Sequence, residues 1–411
     1  MLAAGLAEIS SAPLASAKGA AAPTQLAEHP PVALLGVAFD NVTLREAVGR
    51  IEEMIASRRS HHVVTANVDF LAQARRDPEL KSILLHAPLV LCDGTPLVWA
   101  SRFFGNPLPE RVAGADLVPE LVRVAARNHY RLFFLGTTAE ANTRAIVRLR
   151  AQHPGLEISH CSPPFRPLEE MDDAEIIRQI RAARPDLLFV AFGCPKAEKW
   201  IARHLHQLGV PVTMGVGATI DFLAGRVPRA PLWMQRGGVE WIYRLAQEPG
   251  RLFRRYAVDL WFFAGAMIRQ WWTLKRRAGA SRGQSPTSAI QSNVTWQRVK
   301  AAACLNKESI ERDAARWNAI SGQDRHCLLE LAETESMDST GLAVLVHLKK
   351  QLRLSGRQLI LLSPSAAVRR ALQAMRLGEF LEVASDALQA RTLIRTRRTV
   401  SKRVSFPPAS L

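Results

Sequence analysis

The chain has 411 residues, more than one ordinary domain holds, and 48% of them are hydrophobic, which excludes a chain too polar to build a core. Its 54 Lys and Arg outweigh 37 Asp and Glu to give a formal charge of +17. That excess calls for a polyanionic partner: nucleic acid, anionic lipid headgroups or a phosphorylated substrate. Five cysteines, Cys92, Cys161, Cys194, Cys304 and Cys327, show no CxxC spacing. They argue against a disulfide framework or zinc site and fit a reducing, cytosolic setting.

Residues 1–33 are rich in Ala, Ser and Pro and lack the basic start and compact apolar core of a signal peptide, so a disordered extension is expected. Apolar runs then alternate with helix-like stretches. HHVVTANV leads to a helix from Asp69, PLVLCDG to one from Thr95, and YRLFFLGTT to AEANTRAIVRLRAQ. DLLFVAFG leads to KAEKWIARHLHQL and VPVTMGVG to TIDFLAG. Repeated strand-turn-helix units predict an α/β domain with a Rossmann-like parallel sheet, assigned to residues 34–235.

Ligands of such sheets gather beyond the carboxyl ends of the strands, where Thr65, Asn67, Asp93, Gly94, Gly136, Thr137, Gly193 and Gly217 fall. Thr65 and Asn67 offer donors and acceptors suited to sugar hydroxyls or a uracil edge. Asp93 ends an apolar run and precedes Gly94, so it reads either as a proton acceptor at the crevice mouth or as a helix N-cap. Arg111, in RVAGADL, can pair with a phosphate or with Asp116. Neither GxGxxG nor GxxxxGK[ST] occurs, which weakens dinucleotide and ATPase readings. No DxD, HExxH or Cys/His cluster is present, so nothing visible requires a metal or cofactor.

From Gly215 to Tyr256 a glycine-rich strand end runs into a region dense in arginine and tryptophan, where Asp221 is followed by Arg229, Arg236, Arg244, Arg251, Arg254 and Arg255. This mixture suits a diphosphate gripped beside a lipid surface, although a solvated basic helix with aromatic core contacts has the same composition. The run Tyr256 to Leu274 is long enough to span a bilayer but contains Asp259 and Arg269. It therefore reads as a helix in the membrane interface, or as a buried helix of the core, and residues 236–277 are assigned to a membrane-facing basic and aromatic appendage. Residues 278–295, small and polar, form the expected linker. Residues 296–390 read as strand, turn, helix, strand, helix, and residues 391–411 as a basic tail with affinity for lipid surfaces. An aromatic-basic nucleic-acid-binding pattern is missing, so nucleic acid is not expected as a partner.

The ordered set TAN, CDG, RVAGADL, FFLGTT, FGCPKAEKW, GVGATIDFLAG, RAPLW and VEWIYRLAQEPGRLFRRY resembles the WecG/TagA/CpsF family of bacterial glycosyltransferases over about residues 34 to 260. The resemblance implies metal-free, inverting transfer of an N-acetylhexosamine-type sugar, such as N-acetylmannosamine or its uronic acid, from a UDP donor to an undecaprenyl-diphosphate-linked sugar. It makes Asp93 the general base, with Thr65 and Asn67 beside it. Arg111 and Asp221 then hold the donor nucleotide, Gly193, Pro195, Lys196 and Glu198 line the next turn, and Arg244, Arg251 and Arg254 neutralise the leaving diphosphate. The family usually reads GxPkQE, whereas this chain carries Ala197 at the glutamine position. That departure puts donor identity in doubt and keeps open a weakly active UDP-sugar-binding scaffold. The segment around MDSTGLAVL resembles a STAS domain of the anti-sigma-factor-antagonist type. There the resemblance makes Ser339 a phosphorylation site facing a kinase or anti-sigma-like partner, while the bland reading is an N-cap turn. The whole implies a cytoplasmic enzyme peripherally bound to the inner face of the membrane, in polysaccharide or exopolysaccharide synthesis.

Overall fold

The structure is a computed structural model that describes residues 29–236, 238–247, 249–275, 291–292, 296–323, 325–386, 388–390 and 392–393. Most of the expected N-terminal extension, linker and basic tail lies outside these residues. A short antiparallel hairpin, β1 (Val32–Leu34) and β2 (Val37–Phe39), comes first. Next come α1 (Leu44–Ala56), β3 (His61–Ala66), α2 (Val68–Ala74), α3 (Pro78–His86), β4 (Leu89–Cys92), α4 (Thr95–Phe103) and α5 (Gly114–Asn128). The second half of the domain is β5 (Leu132–Gly136), α6 (Ala139–Gln152), β6 (Ile158–Cys161), α7 (Asp173–Ala183), β7 (Leu187–Ala191), α8 (Lys196–Leu208), β8 (Val212–Gly215) and α9 (Thr219–Leu223).

Strands β3 to β8 form one parallel sheet in the order β4-β3-β8-β7-β5-β6. The central strands are buried on both faces, as near-continuous apolar sequence requires of a sheet covered by helices on both sides. Chain order reverses in the sheet: β3 steps outward to β4, and the chain then crosses to β5 on the far side, so the loops part above the centre. Helix starts are set locally. Thr43 and Glu46 form a capping box on α1, Asn67 caps α2 and Asp77 caps α3.

Three helices follow the sheet: α10 (Leu232–Arg236), α11 (Glu240–Gln247) and α12 (Pro249–Lys275). The last is partly core, since Phe263 and Met267 join the cluster of Val32, Leu34, Phe39 and Phe70, and the Gln270 side chain bonds both Leu35 N and Ala33 O. Of the two readings of this run, interface helix or buried helix, the buried one holds for the side of α12 that carries Phe263, Met267 and Gln270. No helix among the described residues is long and apolar enough to cross a membrane.

The C-terminal unit contains β9 (Gln291–Ser292), β10 (Trp296–Lys300), β11 (Cys304–Leu305), α13 (Lys307–Arg312), α14 (Ala314–Gly322), β12 (His326–Glu330) and β13 (Ser336–Met337). It ends with α15 (Ser339–Leu354), β14 (Leu359–Leu362), α16 (Ala366–Ala374) and β15 (Glu382–Ala384). Its sheet runs β15-β14-β12-β10-β9, with only β9 antiparallel. This unit is docked on the first. Ala33, Ala38 and Leu85 share one apolar cluster with Leu342, Val346, Leu372 and Met375. At the hairpin turn Gly36 has φ +84, and a Cβ there would run into the Met375 carbonyl oxygen, so only glycine permits this approach.

One buried carboxylate holds the seam. Asp40 Oδ2 accepts from Val90 N at 2.8 Å, while Oδ1 faces Arg50 Nη1 at 3.3 Å and His347 Nδ1 of α15 at 3.6 Å. Burial by itself raises the Asp40 pKa, but the His347 contact and the charges of Lys350 and Arg50 prevail and hold it at about 2. Lys350 is itself fully enclosed, and burial lowers its pKa against the pull of Asp40. Asp40→Asn strands that buried ammonium, so a loss of about 3–5 kcal/mol in unfolding free energy at pH 7 is expected from denaturant titration. Because the folded pKa is depressed, this contribution is present above the unfolded value near 3.8 and is lost as pH falls toward about 2. The stability gap between wild type and variant should accordingly shrink in acid, and a gap unchanged at pH 3 rejects the assignment.

Candidate active site

The ends of β3, β4 and β8 bring Thr65, Asn67, Asp93 and the Arg111 loop to one edge of the sheet, called the crevice below. Asp93 N donates to Ala66 O at 2.9 Å, and Val112 N donates to Cys92 O at 2.8 Å. The loop before α5 is thus laid along the end of β4, which sets Arg111 beside Asp93. Ala113 and Gly114 open α5 against β3: a Cβ on Gly114 would sit 3.5 Å from Thr65 Oγ1 and 3.7 Å from Thr219 Oγ1. Gly94 faces Asn67 as closely, with a Cβ there 3.7 Å from that of Asn67. The Asn67 carboxamide oxygen is engaged as N-cap of α2, accepting from Phe70 N at 3.2 Å.

Arg111 is the electrostatic centre. Its guanidinium meets Asp116 at 2.9 Å and Glu240 at 3.1 Å. Arg229 meets the same two carboxylates, at 2.5 Å and 3.4 Å, and donates to Ala115 O. Burial disfavours the Arg111 charge, yet Asp93, Asp116 and Glu240 together hold its pKa above the ordinary arginine value. Of the two sequence readings of Arg111, the carboxylate pairing is present. Glu240, at the start of α11, went unnoticed in the sequence because it looked like one acid in a basic tract. Its position inside the VEWIYR run was the available signal.

The remaining positions divide. Thr137, at φ 51, donates from its hydroxyl to Asp221 Oδ1 at 3.1 Å, and Arg226 lies 3.6 Å from the same oxygen. Gly136 turns beside Ala191 and Phe192, with φ +97. Gly193 and Gly217 also have positive φ, and Pro195 precedes α8. Lys196 reaches the other way: its ammonium donates to the Arg166 carbonyl and lies 5.0 Å and 5.2 Å from the Phe165 and Phe192 ring centroids.

Glu198 is enclosed below the turn. Gly215 leaves the room for its carboxylate, burial raises its pKa to about 7, and Oε2 meets no partner. Ala197 is buried in the same layer. Arg244 sits one turn after Glu240 on α11, and Arg251 and Arg254 lie on the first turns of α12, but their side chains fall outside the described set. Among the described residues no group of His, Cys, Asp or Glu is arranged to hold a metal ion.

An apolar strip borders the crevice. Helix α4 starts two residues after Asp93 and exposes Trp99 and Phe103, 53% and 61% accessible, and Phe103 packs its ring 6.1 Å from that of Trp271 on α12. Trp261, 85% accessible, and Trp272 extend it along α12. The sequence marked the tryptophans of α12 but not α4, which read simply as a helix after CDG.

In the C-terminal unit, Asp338 caps α15 by accepting from Thr340 N at 2.8 Å and Gly341 N at 2.9 Å. Ser339 follows, 1% accessible, its hydroxyl enclosed without a partner. Any group that reacts with the Ser339 hydroxyl has to open this end of the domain.

The comparisons agree with this architecture. The family model "Glycosyl transferase WecG/TagA/CpsF family" matches residues 32–277, and the STAS domain model matches residues 300–390. Curated relatives from Staphylococcus aureus strains MW2 and MRSA252 are each 31% identical over 241 residues, covering 58% of this chain and 93% of the relative. Both are named N-acetylglucosaminyldiphosphoundecaprenol N-acetyl-beta-D-mannosaminyltransferase. The chain belongs to the WecG/TagA/CpsF family of glycosyltransferases and joins that enzyme to a C-terminal STAS domain.

Proposed function

We propose that the chain transfers an N-acetylmannosamine-type sugar from a UDP donor to N-acetylglucosamine carried on undecaprenyl diphosphate, with inversion, in the synthesis of a cell-surface polysaccharide. The acceptor and sugar class follow the names of the relatives. The observation that carries the chemistry is the placement of Asp93 at the adjoining ends of β4 and β3, its amide bonded to Ala66 O, with the Arg111 loop laid along the end of β4. In this reading Asp93 takes the proton from the acceptor hydroxyl as its oxygen attacks the anomeric carbon, and UDP departs from the opposite face. Thr65 and Asn67 orient sugar hydroxyls, and Asp221 with Thr137 borders the nucleotide. Arg111 and Arg229, with Arg244, Arg251 and Arg254, face the charge that builds on the leaving diphosphate. The exposed strip of α4 and α12 rests on the lipid surface that holds the acceptor, and the STAS domain regulates the transferase.

Asp93→Asn removes the proton acceptor with almost no change in volume. Transfer to a polyprenyl-diphosphate-linked N-acetylglucosamine, followed by mass spectrometry of the glycolipid, should fall on the order of a hundred- to ten-thousand-fold, with UDP binding retained. Activity within about threefold of wild type rejects Asp93 as base. UDP release without a new glycolipid in the wild type would instead favour the weakly active scaffold.

Replacing Arg244, Arg251 and Arg254 together by Gln should cripple transfer while the circular dichroism of the protein stays that of wild type. EDTA should leave wild-type activity unchanged, and inhibition reversed by magnesium overturns the assignment of leaving-group charge to arginines.

Membrane binding through this strip should be peripheral. Interfacial helices gain from apolar burial plus roughly 1 kcal/mol per basic residue near anionic lipid. Alkaline carbonate or high salt should therefore release the protein from membranes, and Trp261→Ser combined with Trp99→Ser should weaken vesicle binding. Retention in the carbonate pellet, with release only by detergent, contradicts the interfacial reading.

A further inference from the structure

Away from the crevice, a cavity of about 400 Å³ opens where the β1–β2 turn, α2, α3, α12 and the end of α16 meet. Three basic side chains from three different helices or helix ends converge on it, Arg75, Lys81 and Arg376, and Arg269, which has a partner of its own, also lines it. No carboxylate lines it among the described residues. Like charges gathered at a half-enclosed junction repel one another unless an anion sits among them. Lys81 registers this: burial and then the Arg376 charge push its pKa down to about 8, against a smaller opposing pull from Glu379.

The basic groups are held in place by the two domains. Lys81 Nζ donates to Met375 O at 3.0 Å and to Arg376 O at 2.8 Å, which uses two of its three N–H groups. Arg376 donates one of its five to Arg75 O at 3.1 Å, and the Arg75 guanidinium lies 5.3 Å above the Phe262 ring. Two of the cavity residues, Leu35 and Arg376, hold φ of 50° and 52°, a conformation that non-glycine residues keep only where their surroundings impose it, often around ligands. Leu71, Phe262 and Met375 supply an apolar wall.

We propose that this junction binds a phosphate-bearing anion, clamped between Arg75 and Lys81 of the transferase and Arg376 of the STAS domain. The volume suits a ligand of nucleotide size or the headgroup of a phospholipid. Both sources share the phosphate, and the second is near at hand because Trp261, next to Phe262, lies on the exposed strip. Since the clamp draws on both domains, the anion binds the docked arrangement and strengthens it.

Lys81 is partly accessible and provides a local readout in the full-length protein. The chain is acetylated with an N-hydroxysuccinimide ester in a buffer free of phosphate and nucleotide. Separate arms add inorganic pyrophosphate, phosphatidylglycerol vesicles or phosphatidylcholine vesicles. Mass spectrometry follows Lys81, with Lys307 on α13 as a reference. The expected result is selective protection of Lys81. Protection by pyrophosphate assigns a soluble phosphorylated ligand, whereas protection by phosphatidylglycerol alone assigns a lipid headgroup. Arg376→Gln should raise the protecting concentration about tenfold, the scale of one lost charge-assisted hydrogen bond, and Arg376→Lys should largely restore it. No protection in either anionic arm overturns the proposal, and so does protection that is undiminished in Arg376→Gln. The wild-type comparison stands by itself if a variant folds poorly.

Discussion

Two arginines sharing two carboxylates fix the geometry on which the transferase depends. Arg111 and Arg229 each pair with Asp116 and Glu240, and the four side chains belong to the loop after α4, the start of α5, the segment before α10 and the start of α11. An exposed pair of this kind contributes about 0–1 kcal/mol. Here Glu240 is only 5% accessible and Arg111 19%, so removing one member leaves a poorly solvated charge, at a cost nearer 3–5 kcal/mol. The ring therefore acts as a clamp. It joins α11, and hence the helical backbone that carries Arg244, to the turn that carries Arg111 beside Asp93. A basic tract alone would supply charge without direction.

Asp40 does the corresponding work on the other side of β4. Its carboxylate receives the Val90 amide of β4 while facing Arg50 of α1 and His347 of α15. The strand that ends in the CDG turn is thus tied through one side chain to the longest helix of the STAS domain. Ser339 begins that helix and His347 lies two turns on, so the start of α15 and the domain seam share one rigid element. This continuity gives the proposed regulation a physical form: whatever displaces α15 works against the Asp40 contacts.

Much of the sheet was legible because its strands are short, apolar and punctuated by turn residues. PLVLCDG gave β4 with α4 starting at Thr95 as expected, and TAN gave the end of β3 with α2 starting at Val68, one residue before the expected Asp69. The strand-end positions were legible for the same reason, since a parallel sheet puts its strand ends on one edge. What stayed hidden was set by long-range contacts. Val32 to Phe39 is a brief apolar run whose hairpin acquires its purpose only against α15 and Met375. Lys196 and Glu198 are near neighbours in sequence, yet one leans toward Arg166 and the other is enclosed under Gly215, a split decided by helix phase and packing. Helix α12 offered two readings, interface or core; the core reading holds for the side that carries Phe263 and Met267, while the other side exposes Trp261 and Ile268.

The shared cluster of Ala33, Ala38 and Leu85 with α15 and α16 has a consequence for how this chain can be taken apart. A cut within residues 276–290 separates two recognisable sequence families, but it divides one continuous apolar cluster. The transferase half would emerge with an uncovered apolar face and with Asp40 stripped of His347 and Lys350, and would bury that face by self-association or by recruiting another surface. Substitutions inside the STAS core can thus alter the transferase without touching its crevice. The fused domain cannot be exchanged as an interchangeable cartridge: its α15 and α16 surfaces and the β1–β2 hairpin have to change together.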